Sequence, residues 1–146
     1  MKVVIDSSSL AKRYVQEVGS DQLERILQTA SELAFCVILV PEIVSGLNRR
    51  KREGVLTCRD YRSAKTQLLE DVRDATILQA TPATISQTVR LLESQVLRAM
   101  DALHLACALE WRADLFVTSD RRQWKAAIAI GLRSETVGLP EEEAGS

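Results

Sequence analysis

The sequence predicts an α/β domain, a three-layer α/β/α sandwich around a central, mostly parallel sheet. Two observations carry that prediction. Short apolar, β-branched runs alternate along the chain with segments whose apolar residues recur at helical spacing, the pattern of successive βαβ units. One run, CVILV at 36–40, is apolar throughout, as a parallel strand buried on both faces must be. At 146 residues the chain suits one domain with its own core. That domain is expected over 1–137, with 138–146 an acidic tail expected to be flexible.

The run at 3–5 ends in Asp6-Ser7-Ser8-Ser9, a strand handing over to a helix cap. A short helix is expected over 10–15. Gly19-Ser20 then opens another over 21–33, with Leu23, Ile26, Leu27, Ala30 and Leu33 on its inner face. After CVILV, Pro41 takes the first helical position of a helix over 42–52 that stops at Gly54. The next helix opens at Thr57 or Cys58 and reaches 72, with Tyr61, Ala64, Leu68 and Leu69 inward. Residues 76–78 form a strand, and Thr81-Pro82 caps and opens a helix to 93. The stretch 97–122 is the centre of the chain: a helix apolar on every face, hence buried all round, followed by a strand at 115–118. A last helix over 121–130 stops at Gly131, with an edge strand within 133–137.

Composition narrows the function classes. A net charge of −1 gives no globally basic surface, so any nucleic-acid contact must be local. No stretch approaches the roughly 18 apolar residues of a membrane span, and MKVVID enters a strand without a signal-peptide core. The three cysteines, Cys36, Cys58 and Cys107, are widely spaced and odd in number, which fits reduced thiols rather than a disulfide or zinc framework. A cytoplasmic protein is expected.

Four acids fall at element junctions. Asp6 follows the first strand, Glu42 the CVILV run, and Asp120 the strand at 115–118, while Asp101 lies in the first turn of the buried helix. In parallel α/β folds the carboxyl ends of strands share one crevice. Each acid alone is as well read as a helix cap or dipole partner; the set is not. Two unit charges about 4 Å apart repel by roughly 4 kcal/mol at an effective dielectric near 20. Four carboxylates in one crevice therefore call for a cation, and oxygen-only donors select Mg²⁺ or Mn²⁺ over zinc. Such a site suits hydrolysis of a phosphodiester.

VIDSSSLAKRY, PEIVSGLNRR, LRAMDALHLACALEW and LFVTSDRRQWKAA, in that order and spacing, resemble the PIN-domain ribonucleases, and among them the VapC-type toxins of VapBC toxin–antitoxin pairs. The resemblance covers about 1–137, and its third and fourth segments are the most specific. It implies a Mg²⁺- or Mn²⁺-dependent endoribonuclease acting on RNA. It also implies a homodimer and a VapB-like antitoxin whose C-terminal segment fills the cleft. The family's acidic quartet falls on Asp6, Glu42, Asp101 and Asp120, the first three as principal metal ligands and the fourth binding directly or through water. Ser8 and Thr118 match hydroxyl residues beside the first and last acids.

Several other residues have plainer readings beside the functional ones. His104, the single histidine, reads as a packing or hydrogen-bonded residue and is left outside the site. Arg49 to Arg52 read chiefly as charges complementing a helix C-terminus. Lys12, Arg13, Arg121, Arg122 and Lys125 are candidate phosphate contacts, which would add affinity without sequence specificity. A dehalogenase-type phosphatase would want a second acid where Ser8 stands, and a receiver domain an acid pair where Asp6 stands alone. The remaining rival is a PIN-like fold kept as a non-catalytic RNA-binding or assembly module.

Overall fold

The computed structural model describes residues 1–140. Its centre is a five-stranded sheet in the order β3-β2-β1-β4-β5, with every neighbouring pair parallel. The strands are β1 (Lys2–Ile5), β2 (Glu32–Cys36), β3 (Thr76–Leu78), β4 (Leu115–Thr118) and β5 (Ser134–Thr136). Seven α-helices lie among the described residues: α1 (Ser7–Leu10), α2 (Ser20–Thr29), α3 (Leu39–Arg52), α4 (Cys58–Arg73), α5 (Pro82–Ser94), α6 (Ala99–Trp111) and α7 (Arg121–Ala129). None is long and apolar enough to cross a membrane.

The three layers follow from strand alternation, since successive side chains point to opposite faces. Val3 and Ile5 of β1 and Leu115 and Val117 of β4 turn to one face. There they meet Phe35, Leu10 and Leu23, Leu39 and Ile43 of α3, and Leu68 of α4. Val4 and Phe116 turn to the other, against Leu91 of α5, Leu105 of α6 and Ala127 of α7. The α6 helix is buried at every residue from Ala102 to Ala108, as its all-round apolar sequence predicts.

Strands β3 and β4 and helices α4 to α6 stand close to their expected positions, and β5 is the edge strand foreseen within 133–137. Thr57 and Thr81 cap α4 and α5 by accepting backbone N–H groups. Five expectations need correction. The second strand is ELAFC (32–36), four residues earlier than CVILV, because the sheet register pairs Glu32 to Ala34 with Lys2 to Val4. Helix α2 consequently ends at Thr29 rather than 33. Helix α3 begins at Leu39, with Pro41 third in the helix; its missing N–H is harmless there, because the first four helical N–H groups have no intrahelical partner. The first helix starts at Ser7, not 10, and passes into a 3₁₀ turn over Ala11–Arg13. Leu69 faces solvent, 47% exposed.

Gly138 packs against Gly19, so ordered packing continues one residue past the expected domain end; the last six residues of the expected tail lie outside the described residues. All three cysteines are free thiols. Cys36 and Cys107, far apart in sequence, nevertheless meet in the core with their sulfurs 3.4 Å apart.

Candidate active site

The sheet order reverses at β1, with β2 on one side and β4 on the other, and a cleft of about 710 Å³ opens at the carboxyl ends of these strands. Asp6, Glu42, Asp101 and Asp120 all line it.

Two of the acids double as helix caps. Asp6 Oδ1 accepts the Ser9 N–H at 3.0 Å, and Asp120 Oδ1 accepts the N–H groups of Arg122 at 2.8 Å and Gln123 at 3.3 Å. The second oxygen of each belongs to the cleft. Asp6 Oδ2 accepts from the Thr118 hydroxyl at 2.8 Å and the Ser8 hydroxyl at 3.3 Å. Thr118, fully buried, also receives the Asp120 N–H at 3.0 Å and lies 2.7 Å from Gln123 Oε1. Gln123 in turn donates from Nε2 to the Asp101 carbonyl at 2.9 Å. The chain from Asp6 through Thr118 and Gln123 thus ties three of the four acid-bearing segments together inside the core, where such bonds are stronger than in water.

Glu42 stands in the first turn of α3 and is held through one oxygen. Ser7 Oγ donates to Oε1 at 2.6 Å, and His104 Nε2 donates to the same atom at 2.6 Å. Burial raises the Glu42 carboxyl, but these two bonds outweigh it and hold the group below its ordinary value. His104 is 2% exposed and its Nδ1 has no partner among the described residues, so the ring is oriented there through Nε2. Burial depresses its pKa, while Glu42 and the field of Asp6 raise it further, for a net increase.

Asp101 and Asp120 share a guanidinium. Arg98 Nε lies 3.2 Å from Asp101 Oδ2, and its Nη2 lies 3.4 Å from Asp120 Oδ2. The Asp101 carboxyl is raised, first by burial; Arg98 offsets part of this, and the charges of Asp120 and Asp6 add to it. The Asp101 carboxyl thus feels the charges of two of the other acids. Their chemistry fits a hard divalent ion. As they stand, no three His, Cys, Asp or Glu side chains among the described residues form a group that could hold one. Each carboxylate is instead engaged by its own partner: Thr118, His104 or Arg98.

The basic candidates separate. Lys12 lines the cleft and pairs with Glu17 at 3.3 Å. Arg13 turns away, bonded to Asp71 at 2.7 Å and Glu24 at 3.1 Å, because Tyr14 and Asp71 pin the turn after α1 to α4. Arg121, Arg122 and Lys125 follow Asp120 on α7 and are not among the described residues lining the cleft. Arg49 and Arg50 are among them, so the end of α3, read as helix-dipole charges, forms part of the cleft wall.

Two residues at the acids, Ser7 and Arg98, escape the sequence reading; His104 is buried and hydrogen-bonded as expected, and its partner is Glu42. The spacing of Asp101 and His104, three apart on one helix, places both on the same side and was the available signal.

A PIN domain model matches residues 3–129 of the chain. The curated protein Ribonuclease VapC3 from Pyrobaculum aerophilum is 38% identical over 56 residues, which are 38% of this chain and 43% of that protein, so the match spans less than half the relative's length. A chain of a toxin–antitoxin complex from Klebsiella pneumoniae superposes with a TM-score of 0.66 at 17% identity, over 97% of this chain and 99% of that one. Mycobacterium tuberculosis VapC20, described as a sarcin-ricin loop cleaving toxin, gives a TM-score of 0.65 at 15% identity over 95% and 99%. At these identities the two structures speak for the fold.

Proposed function

The chain belongs to the PIN-domain family, and from that premise we propose that it is a Mg²⁺- or Mn²⁺-dependent endoribonuclease, the toxin of a type II toxin–antitoxin pair. The observation that carries this reading is the convergence of Asp6, Glu42, Asp101 and Asp120 on one cleft at the switch point of the sheet. Asp6, Glu42 and Asp101 would hold the ion, with Asp120 binding directly or through water. Bound there, a divalent ion supplies an acidified water and neutralises charge developing on the scissile phosphate.

The chain's own residues do the rest. Thr118 and Ser8 orient Asp6, and Ser7 and His104 orient Glu42 as a carboxylate. The caps at Asp6 and Asp120 fix one oxygen of each and leave the other to the cleft. Lys12, Arg49 and Arg50 line the cleft beside its acids, Lys12 and Arg50 both paired with Glu17, and would meet the phosphates of an RNA backbone there. Arg121, Arg122 and Lys125 would meet RNA outside the cleft.

The partner in this reading is a VapB-like antitoxin, in line with the toxin–antitoxin complex among the similar structures. The site of action is the cytoplasm, where the RNA is. A homodimer is also proposed, supported by an apolar stripe on α5. Ile85, Val89 and Leu92 are each 39–47% exposed there, and Val96 just beyond is 79% exposed.

The test is cleavage of a mixed single-stranded RNA by the purified protein in Mn²⁺, with EDTA and Asp101→Asn as controls. Cleavage by the wild type alone is expected. A wild type that neither cleaves nor binds Mn²⁺ would instead be a non-catalytic module.

A further inference from the structure

Arg98 is the N-cap residue of α6, with extended backbone (φ −81°, ψ 158°), yet its side chain makes no cap bond. The helix therefore draws no cap from this arginine. Its guanidinium instead crosses to Oδ2 of both Asp101 and Asp120, while the side chain remains 78% exposed. The other two acids have buried partners in Thr118 and His104. Asp101 and Asp120 therefore depend on a cation that is loosely held, since exposed ion pairs contribute little and are readily exchanged.

We propose that Arg98 is a phosphate-binding residue whose availability is set by the metal content of the site. It neutralises Asp101 and Asp120 while they lack an ion, and pairs with an RNA phosphate once an ion takes those carboxylates. The inference rests on the metal-dependent ribonuclease reading. A divalent ion held by these carboxylates would bring two positive charges close to the guanidinium, and like charges at that range repel. Released, Arg98 stands at the cleft mouth with a planar fork that matches a phosphate. Metal and RNA binding are then coupled, and each strengthens the other through this one side chain.

The test is a calorimetric Mn²⁺ titration of wild type, Arg98→Ala and Arg49→Ala, with equal melting temperatures in EDTA confirming that the fold is intact. Arg98→Ala is expected to bind Mn²⁺ roughly five-fold tighter, the scale of two exposed ion pairs. Arg49→Ala, which removes the same charge from the cleft wall without freeing an acid, should change affinity by less than about two-fold. Fluorescence anisotropy of a 2′-O-methyl oligonucleotide, its integrity checked by gel, supplies the second readout. In saturating Mn²⁺, Arg98→Ala should bind more weakly, with a salt slope shallower by about one. In EDTA the two proteins should bind alike. Equal Mn²⁺ affinity in wild type and Arg98→Ala, or an RNA defect of the same size in EDTA and Mn²⁺, overturns the proposal. A wild type that binds no Mn²⁺ overturns the parent reading, and this one with it.

Discussion

At the scale of single residues, three of the four carboxylates, those of Asp6, Asp120 and Glu42, are anchored to the protein through one particular oxygen. Asp6 and Asp120 satisfy helix N–H groups with Oδ1 and face the cleft with Oδ2, so serving as a cap leaves one oxygen of each directed at the cleft. Glu42 is held by Ser7 and His104 on Oε1. If Glu42 holds a metal as proposed, His104 is its positioning residue, and partners that orient metal ligands typically alter affinity by about 10–100-fold when removed. His104→Leu should therefore fold, lower Mn²⁺ affinity by about that factor, and leave Glu42 misaligned. His104→Gln, whose amide can replace the Nε2 donor, should recover much of the loss. Calorimetric titration of both variants checks this, and equal affinities for the two would reduce His104 to packing. The four acids were legible because each sits where a strand or a buried helix changes state. The hydrogen bond of His104 was not, because its partner lies 62 residues away on a different helix. Arg98 was invisible for the same reason, its second carboxylate being 22 residues distant.

At the scale of elements, sequence pattern located the pieces well wherever polar residues bracket them, as with β4, which ends at Thr118 before Ser119 and Asp120. It failed at 33–40, where LAFCVILV is apolar without a break. Both the end of β2 and the start of α3 are buried there, so hydrophobicity cannot say where one becomes the other; pairing with β1 decides. The junction before α2 is more exacting than its sequence suggests. Gly19 has φ +98°, and a Cβ there would stand 2.5 Å from the backbone N of Gly138 and 2.7 Å from its Cα. Gly54 has φ +76° with open space around it. Gly54→Ala should thus cost only the left-handed backbone, about 1 kcal/mol, while Gly19→Ala adds a clash and should cost roughly 3 kcal/mol. Urea unfolding midpoints of the two variants measure the difference, and equal losses would show that the Gly138 segment simply moves aside.

At the scale of the whole molecule, two apolar layers grip a sheet whose middle strand carries Asp6 at its end, and the acids are positioned by the fold's deepest packing. The exposed stripe along α5 lies on the outer side of one layer. If it is a dimer face, Val89→Asp should convert a dimer to a folded monomer, as read by light scattering with an unchanged circular dichroism spectrum. A monomeric wild type would remove that role from α5. The central pairing also has a consequence in time. Strand β1 precedes β4 along the chain, and the Thr118 bond to Asp6 closes a loop of 112 residues. A nascent chain must therefore hold β1 without its β4 neighbour until Thr118 has been made. Fragments that stop before α6 carry Asp6 and Glu42 without Asp101 and Asp120, and so hold only half of the acids that line the cleft.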